Sequence, residues 1–227
     1  MQNGGRMFAC LGLWEDRHAR NGPEQMACDE AILAEATGPV LRIFRWSGPW
    51  VSAGYFVPLQ RAAAVRPDLP LCRRWTGGGV VVHEGDFTFS LAVPRGESWA
   101  SMRPAESYRV LHEAVARALG ALGVSAALAG KTAGAGEECF ASPVAHDLMT
   151  GGQKIAGGAQ RRTRSGLLHQ GSIQIPDLPS GLAEALASQL AEEVKAWTPP
   201  PGLEERVRAL HRAKYSREDF THLSSLP

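Results

Sequence analysis

Two glycine clusters, each carrying a cation, and one cysteine hold the chemistry open to this chain. The first cluster is Arg73-Arg74-Trp75-Thr76-Gly77-Gly78-Gly79-Val80-Val81-Val82-His83, followed by Asp86 and Ser90. Three successive glycines lack the side chains that would keep an elongated ligand or a phosphate from the backbone amides, and Arg74 is a bidentate cation beside them. A glycine-rich hairpin with a solvated arginine pair fits the same residues. Neither dinucleotide-binding nor phosphate-loop spacing is met. G-x-G-x-x-G fails at Val82, and Gly130-Lys131-Thr132 has Ser125 where the phosphate loop needs its first glycine.

The second cluster is Gly151-Gly152-Gln153-Lys154-Ile155-Ala156-Gly157-Gly158-Ala159-Gln160, and Lys154 is one of only four lysines. Held in a strand among small residues, its ammonium could stabilise a carbonyl oxygen, a phosphate or a thiolate in a pocket. An exposed edge-strand lysine that deters sheet pairing is the alternative. Cys139, in Glu138-Cys139-Phe140-Ala141-Ser142-Pro143, is either a nucleophile or a small buried hydrophobe. Cys10, Cys28 and Cys72 sit in apolar settings that suit a core. His83, His112, His146 and His169 share no metal-ligand spacing, so no metal site is expected. His112 reads as a surface or packing residue of a helix. Arg161-Arg162-Thr163-Arg164 reads as a solvated basic turn or a contact for an acidic protein partner.

The elements that must hold these residues follow from hydrophobic period and punctuation. Met7 to Trp14 reads as an early strand, and Gln25 to Ala36 as a helix stopped by Gly38-Pro39. Val40 to Trp46 and Trp50 to Phe56 read as a hairpin or neighbouring strands, and Leu71 to Trp75, Val80 to His83 and Phe87 to Val93 as further strands. Pro104 opens a helix through Tyr108, Leu111, Val115, Leu119 and Leu122. Short strands are predicted at Val124 to Leu128, His146 to Met149, Gln153 to Ala156 and Leu167 to Ile175, with closing helices at Leu182 to Val194 and Leu203 to Lys214. Strands grouped between helices, without strict βαβ alternation, predict an α+β fold whose helices cover one side of a mixed sheet.

Composition narrows the function classes. The chain has 227 residues, 44% hydrophobic and 21% charged, which supports a sizeable core and excludes wholesale disorder. Its 24 basic and 23 acidic residues nearly cancel, so no global field draws it to nucleic acid or anionic lipid. Four scattered cysteines without a C-x-x-C pair or a secretory leader predict reduced thiols and a cytoplasmic location. No run approaches the ~20 apolar residues of a membrane span.

Five segments in order resemble the lipoate-protein ligase and octanoyltransferase family: Met26-Ala27 with Asp29-Glu30; Ser52-Ala53-Gly54-Tyr55-Phe56; Arg73-Arg74 to His83; Lys154 to Gln160; and Leu168-His169-Gln170-Gly171-Ser172-Ile173. The resemblance spans most of residues 25–175. It implies a biotin/lipoate ligase-type α+β catalytic domain occupying all 227 residues, with an acyl chain lodged beside the glycine loop. Cys139-Phe140 followed by Pro143, Asp147 and Lys154 is similar to the cysteine-dependent octanoyltransferase branch. In that branch the resemblance implies Cys139 as the acyl-thioester nucleophile and Lys154 as the group that lowers its pKa and orients the carbonyl. Arg74, Gly77, Gly78, Gly79, Val80, Val81, Val82, His83, Gly157 and Ala159 are implied to line the acyl site.

The implied donor is octanoyl-acyl carrier protein, and the implied acceptor is a lysine of a lipoyl-domain protein such as glycine cleavage H protein or a 2-oxoacid dehydrogenase E2. No cofactor is needed on that route. Two departures from the branch are Gly79, which is more like the ligases, and Glu84 in place of the usual Asp. The alternative is an ATP- and magnesium-dependent lipoate-protein ligase acting through lipoyl-adenylate with Cys139 structural, and only about 50 residues follow Ile175 to supply an accessory domain. A non-catalytic module that binds lipoyl domains or acyl ligands is the third reading.

Overall fold

The computed structural model describes residues 6–130, 144–217 and 220. Its largest element is an eight-stranded sheet in the order β11-β1-β2-β6-β10-β9-β8-β7. The strands are β1 (Phe8–Arg20), β2 (Val40–Trp46), β6 (Phe87–Pro94), β7 (Ala127–Leu128), β8 (Leu148–Thr150), β9 (Gln153–Arg162), β10 (Gly166–Ile173) and β11 (Ala191–Ala196). β1 runs parallel to β11 and β2, and the remaining neighbours are antiparallel. A second sheet, β4-β3-β5, is formed by β3 (Trp50–Ala53), β4 (Leu71–Arg73) and β5 (Val80–His83).

Successive side chains of a strand leave opposite faces, and this alternation sorts the sheet into two unlike sides. Leu41, Phe89, Leu91, Val93, Leu167 and Ile173 join one core with α3 (Pro104–Ala121) and α4 (Leu182–Leu190). Leu111, Ala114, Val115, Ala118 and Leu119 step around α3 by three and four, so the helix lays one apolar stripe on the sheet. Val40, Ala92 and Leu168 face the other way, into a core shared with α1 (Gly22–Glu35) and α5 (Leu203–Leu210). Helices therefore cover both faces, where one was expected. A one-faced sheet would leave this second apolar set in water, at a cost of roughly 1.5–3 kcal/mol per large side chain.

Three other expectations are corrected. β2 and β3 form no hairpin. The Ser47-Gly48-Pro49 turn carries the chain out of the large sheet into the small one. The predicted helix over Leu182 to Val194 ends at Leu190, and Ala191–Ala196 pairs with β1. There an edge partner satisfies the backbone where Glu192, Glu193 and Lys195 give no apolar stripe. α2 (Leu59–Val65), which the short Leu-Gln-Arg-Ala-Ala-Ala-Val segment did not announce, covers the small sheet through Leu59 and Ala62. Among the described residues no helix is long and apolar enough to cross a membrane.

α1 begins with a capping box, in which Asn21 accepts from the Glu24 amide and the Glu24 carboxylate accepts from the Asn21 amide. Its inner face is polar as well as apolar. Arg42 of β2, fully buried, donates through Nη1 to Asp29 on α1 at 2.7 Å and through Nη2 to Asp16 on β1 at 2.7 Å. Arg42→Met would leave buried Asp29 without a cation and Asp16 with Arg20 alone. The expected loss is about 3 kcal/mol or more of unfolding free energy, read from the urea midpoint, and a loss below about 1 kcal/mol would contradict this placement.

Candidate active site

The faces that hold α1 and the small sheet also flank a half-open cleft, whose empty space including the part open to solvent is about 410 Å³. Its floor is a single row of side chains running straight across the large sheet. Gly157 of β9 pairs with Ser172 of β10, Ser172 with Thr88 of β6, and Thr88 with Phe44 of β2. All four line the cleft, with Trp46, Gln170 and Ala159 in adjoining positions. Met26 of α1 and Ser52, Arg74, Val81 and His83 of the small sheet and its glycine loop close it from above.

The small sheet divides the predicted Val80-Val81-Val82 run by parity. Val81 and His83 face the cleft, whereas Val80 and Val82 pack on the layer of Val51, Ala53, Leu59 and Ala62 beneath α2. Arg74 also differs from the expectation of a cation waiting for a ligand. Nη1 donates to the Ser52 carbonyl at 2.8 Å and to Ser52 Oγ at 2.6 Å, and Nη2 to the Gly77 and Gly79 carbonyls at 3.1 and 2.8 Å. It clamps the glycine loop. Gly78 has φ +82°, and a Cβ on Gly54 would lie 1.9 Å from the Gly78 carbonyl oxygen, so glycine at both places lets the loop close on β3. A Cβ on Gly78 would also come within 3.3 Å of Ala159 Cβ, so the loop abuts β9.

Ser52 Oγ and His83 Nε2 are 2.7 Å apart, and His83 Nδ1 and Asp86 Oδ2 are 2.8 Å apart. The connectivity is that of a serine-histidine-aspartate triad, but Ser52 is fully buried under Arg74, so it holds the imidazole and does not attack. Asp86 Oδ2 also accepts from Ser172 at 2.5 Å and Thr88 at 3.0 Å. Burial opposes the Asp86 charge, yet His83 and the two hydroxyls hold its carboxyl below the usual range. Both floor hydroxyls thus spend their protons on Asp86 and leave carbon facing the cleft.

Lys154 stands at the β9 end. Leu148 pairs with Ala156 but Met149 with Lys154, so β9 carries one extra residue against β8. This bulge brings Lys154 and Gly157 to one side. A Cβ on Gly157 would meet Lys154 Cε at 2.8 Å and Nζ at 2.9 Å. Gly158 likewise leaves room for the His169 ring, whose Nε2 would be 2.3 Å from an added Cβ. The side-chain space at these two glycines is filled by the protein's own lysine and histidine.

Lys154 is buried and paired with buried Asp147, Nζ to Oδ2 2.7 Å. Asp147 in turn accepts from Tyr108 Oη at 2.5 Å and from the Val144 amide at 2.8 Å. His146, with φ +75°, sets up this turn, and its carbonyl accepts from His112 Nδ1 at 2.8 Å. Tyr108 and His112 are one turn apart on α3, so one helix face props the aspartate. His112 was expected to be a surface or packing residue, and it is a buried donor. Burial pushes its imidazole down to about 4, although Asp147 and the His146 carbonyl favour the charged form. Burial, with His112 beside it, pushes His169 well below its ordinary value.

Cys139 lies outside the described residues. Burial pushes the Cys28 and Cys72 thiols up to about 12, so neither is poised as a nucleophile. Arg161 and Arg162, expected in a basic turn, are the last residues of β9, where Arg162 donates to Ser107 Oγ at 2.8 Å and Arg161 lies over the rings of Tyr55 and Trp75 at 4.8 and 5.3 Å. Among the described residues no group of three His, Cys, Asp or Glu side chains could hold a metal. Sequence reading missed Tyr108, Ser52 and Trp46 as parts of the site. Only the spacing of Tyr108 and His112 on a helix stripe offered a signal.

The cleft is thus floored by four strands, with Lys154 packed against Gly157 on the β9 side. The chain belongs to the lipoyl protein ligase A/B catalytic domain family, whose model matches residues 21–222. It is 31% identical over 217 residues to octanoyltransferase LipM of Carboxydothermus hydrogenoformans, covering 91% of this chain and 77% of that one. It is 37% identical over 163 residues to octanoyltransferase LipM of Moorella thermoacetica, covering 65% of this chain and 59% of that one. The chain thus matches under two thirds of the length of the Moorella relative. A putative lipoate protein ligase from T. acidophilum has the same fold, with a TM-score of 0.75 over 96% of this chain and 100% of that one, at 24% identity. A lipoate-protein ligase A crystallised with ATP superposes with a TM-score of 0.73 over 95% of this chain and 99% of that one, also at 24% identity.

His112 predicts an acid-sensitive fold. Its folded pKa of about 4 lies below the ordinary 6.5, so the unfolded chain takes up the proton first. The stability it contributes is complete above pH ~6.5 and is lost as pH falls toward ~4, a change of roughly 3 kcal/mol. His112→Asn, which keeps a donor toward the His146 carbonyl, should flatten the dependence of the urea midpoint between those limits. An unchanged slope in the variant would exclude His112 as its source.

Proposed function

We propose that this chain is a catalytic domain that moves an octanoyl group from acyl carrier protein, through a thioester on Cys139, to a lysine of a lipoyl-domain protein. The observation that carries the proposal is the buried Lys154–Asp147 pair packed against Gly157, which lines the largely apolar cleft. Its similarity to octanoyltransferases across 91% of the chain supports the same reading. Cys139 precedes by five positions Val144, whose amide bonds the carboxylate that holds Lys154.

In the proposed sequence the Cys139 thiolate attacks the octanoyl carbonyl, and Lys154 donates toward the oxygen as negative charge develops. The C–S bond to the carrier breaks and the carrier leaves as its thiolate. The acceptor lysine, as free amine, then attacks the Cys139 thioester. A C–N bond forms, the C–S bond to Cys139 breaks, and the amine proton passes to the departing sulfur. Thioester exchange is nearly isoenergetic and amide formation runs downhill, so no nucleotide is consumed. Glycine cleavage H protein and 2-oxoacid dehydrogenase E2 domains are the acceptor class, and the cytoplasm is the compartment that supplies them.

In the ATP-dependent ligase reading Lys154 would contact lipoyl-adenylate and Cys139 would be structural. Incubation with octanoyl-acyl carrier protein without ATP should leave a hydroxylamine-labile octanoyl group on Cys139, seen by peptide mass spectrometry. Lys154→Met should slow its formation by about a hundredfold. Amide transfer that needs ATP and survives Cys139→Ala would replace the transferase by the ligase.

A further inference from the structure

The cleft has a measurable length and a fixed far wall. From Gly157 to Phe44 its floor crosses β9, β10, β6 and β2, three strand spacings of ~4.8 Å, or ~14 Å. The last spacing is filled by the rings of Phe44 and Trp46, which share a face of β2. The two spacings from Gly157 to Thr88 leave ~10 Å, and an extended eight-carbon chain with seven C–C bonds of ~1.5 Å spans ~9 Å.

The wall is held from several sides. Trp46 stacks on His83 with centroids 4.0 Å apart and planes at 22°, and its Nε1 donates to Thr88 Oγ1 at 3.0 Å. His83 is fixed between Ser52 and Asp86, and Phe44 lies under the Arg42 guanidinium at 4.2 Å. Trp46 is only half-buried, and Ser47, Gly48 and Pro49 beyond it are exposed. Removing the indole would open the end of the cleft to water instead of leaving a sealed cavity.

We propose that Trp46, stacked on His83, is the chain-length stop of the acyl site and makes it selective for eight carbons over longer chains. This rests on the acyl-transfer reading for which end reacts, since the tail must point away from Lys154. The test is titration calorimetry of free straight-chain carboxylates from six to twelve carbons against the whole chain, with wild type, Trp46→Ala and Phe44→Leu. In wild type the affinity should rise about fourfold per methylene up to eight carbons and fall beyond. In Trp46→Ala it should keep rising through twelve, a gain of at least tenfold for the twelve-carbon acid. Phe44→Leu should move the limit by one or two carbons.

Melting curves confirm that each variant is folded, and one folded variant with a shifted limit is enough to support the proposal. Wild type without a break at eight carbons, or folded variants with the wild-type profile, would overturn it. The acyl-transfer reading fails separately. Absence of a Cys139 adduct from octanoyl-acyl carrier protein, with the eight-carbon limit intact, would remove the chemistry and leave the stop.

Discussion

The Asp29 carboxylate, fully buried on α1, accepts from Arg42 Nη1 at 2.7 Å, Ser90 Oγ at 2.7 Å and Gln170 Nε2 at 2.6 Å, and so joins the helix to β2, β6 and β10 together. Gln170 passes the constraint on, because its carbonyl oxygen accepts from Thr76 at the start of the glycine loop at 2.7 Å. A buried ion pair is a poor source of net stability, since apolar residues of equal volume pack as well without the desolvation cost. What the carboxylate adds is uniqueness of placement. Apolar side chains would let α1 slide by a fraction of a turn, whereas Arg42, Ser90 and Gln170 meet Asp29 in one register only. The height of the cleft roof follows from that register.

The floor depends on a second constraint, the parity of four antiparallel strands. Thr88 and Ser172 share the row with Phe44 and Gly157 because each strand pair is in register, and a slip of one residue would replace them by Phe87 or Phe89 and by Gly171 or Ile173. Such a slip would fill the cleft with aromatic rings and expose hydroxyls to the opposite core. The apolar face packed on α3 prevents it. Strand register and ligand space are therefore set by the same burial energy.

The strands were legible from local period wherever a run alternated or was wholly apolar. Val80 to His83 and Val40 to Trp46 coincide with β5 and β2, and Pro104 opens α3 as its ring allows. The partners of those strands were not legible. Nothing in Ser47-Gly48-Pro49 states that the chain changes sheets, and nothing in Ala191–Ala196 marks a strand, since its pairing with β1 is decided by a free edge far away in sequence. The family motifs drew attention to Lys154 and Arg74 but did not say why glycines surround them. Gly157 and Gly158 are small because Lys154 and His169 occupy their side-chain space, relations set by the β9 bulge for Lys154 and by the β9–β10 register for His169. Arg74 likewise resembles a ligand-binding cation in sequence and is a loop clamp in space.

The pairing of Lys154 with Asp147 alters the electrostatics expected of an isolated ammonium. Burying a charge without a partner is costly, and here the partner is a carboxylate. Asp147 meets the ammonium at 2.7 Å and itself accepts from Tyr108 and the Val144 amide. The cost is range. A cation cancelled by a carboxylate within hydrogen-bond distance acts as a dipole, whose influence fades over a few ångströms. Such a group cannot draw an anion in from solution, and it stabilises negative charge only on an atom that meets Nζ directly. The site therefore discriminates by position more than by charge, and the β9 bulge and the α3 prop, which fix where Nζ sits, matter as much as the lysine itself.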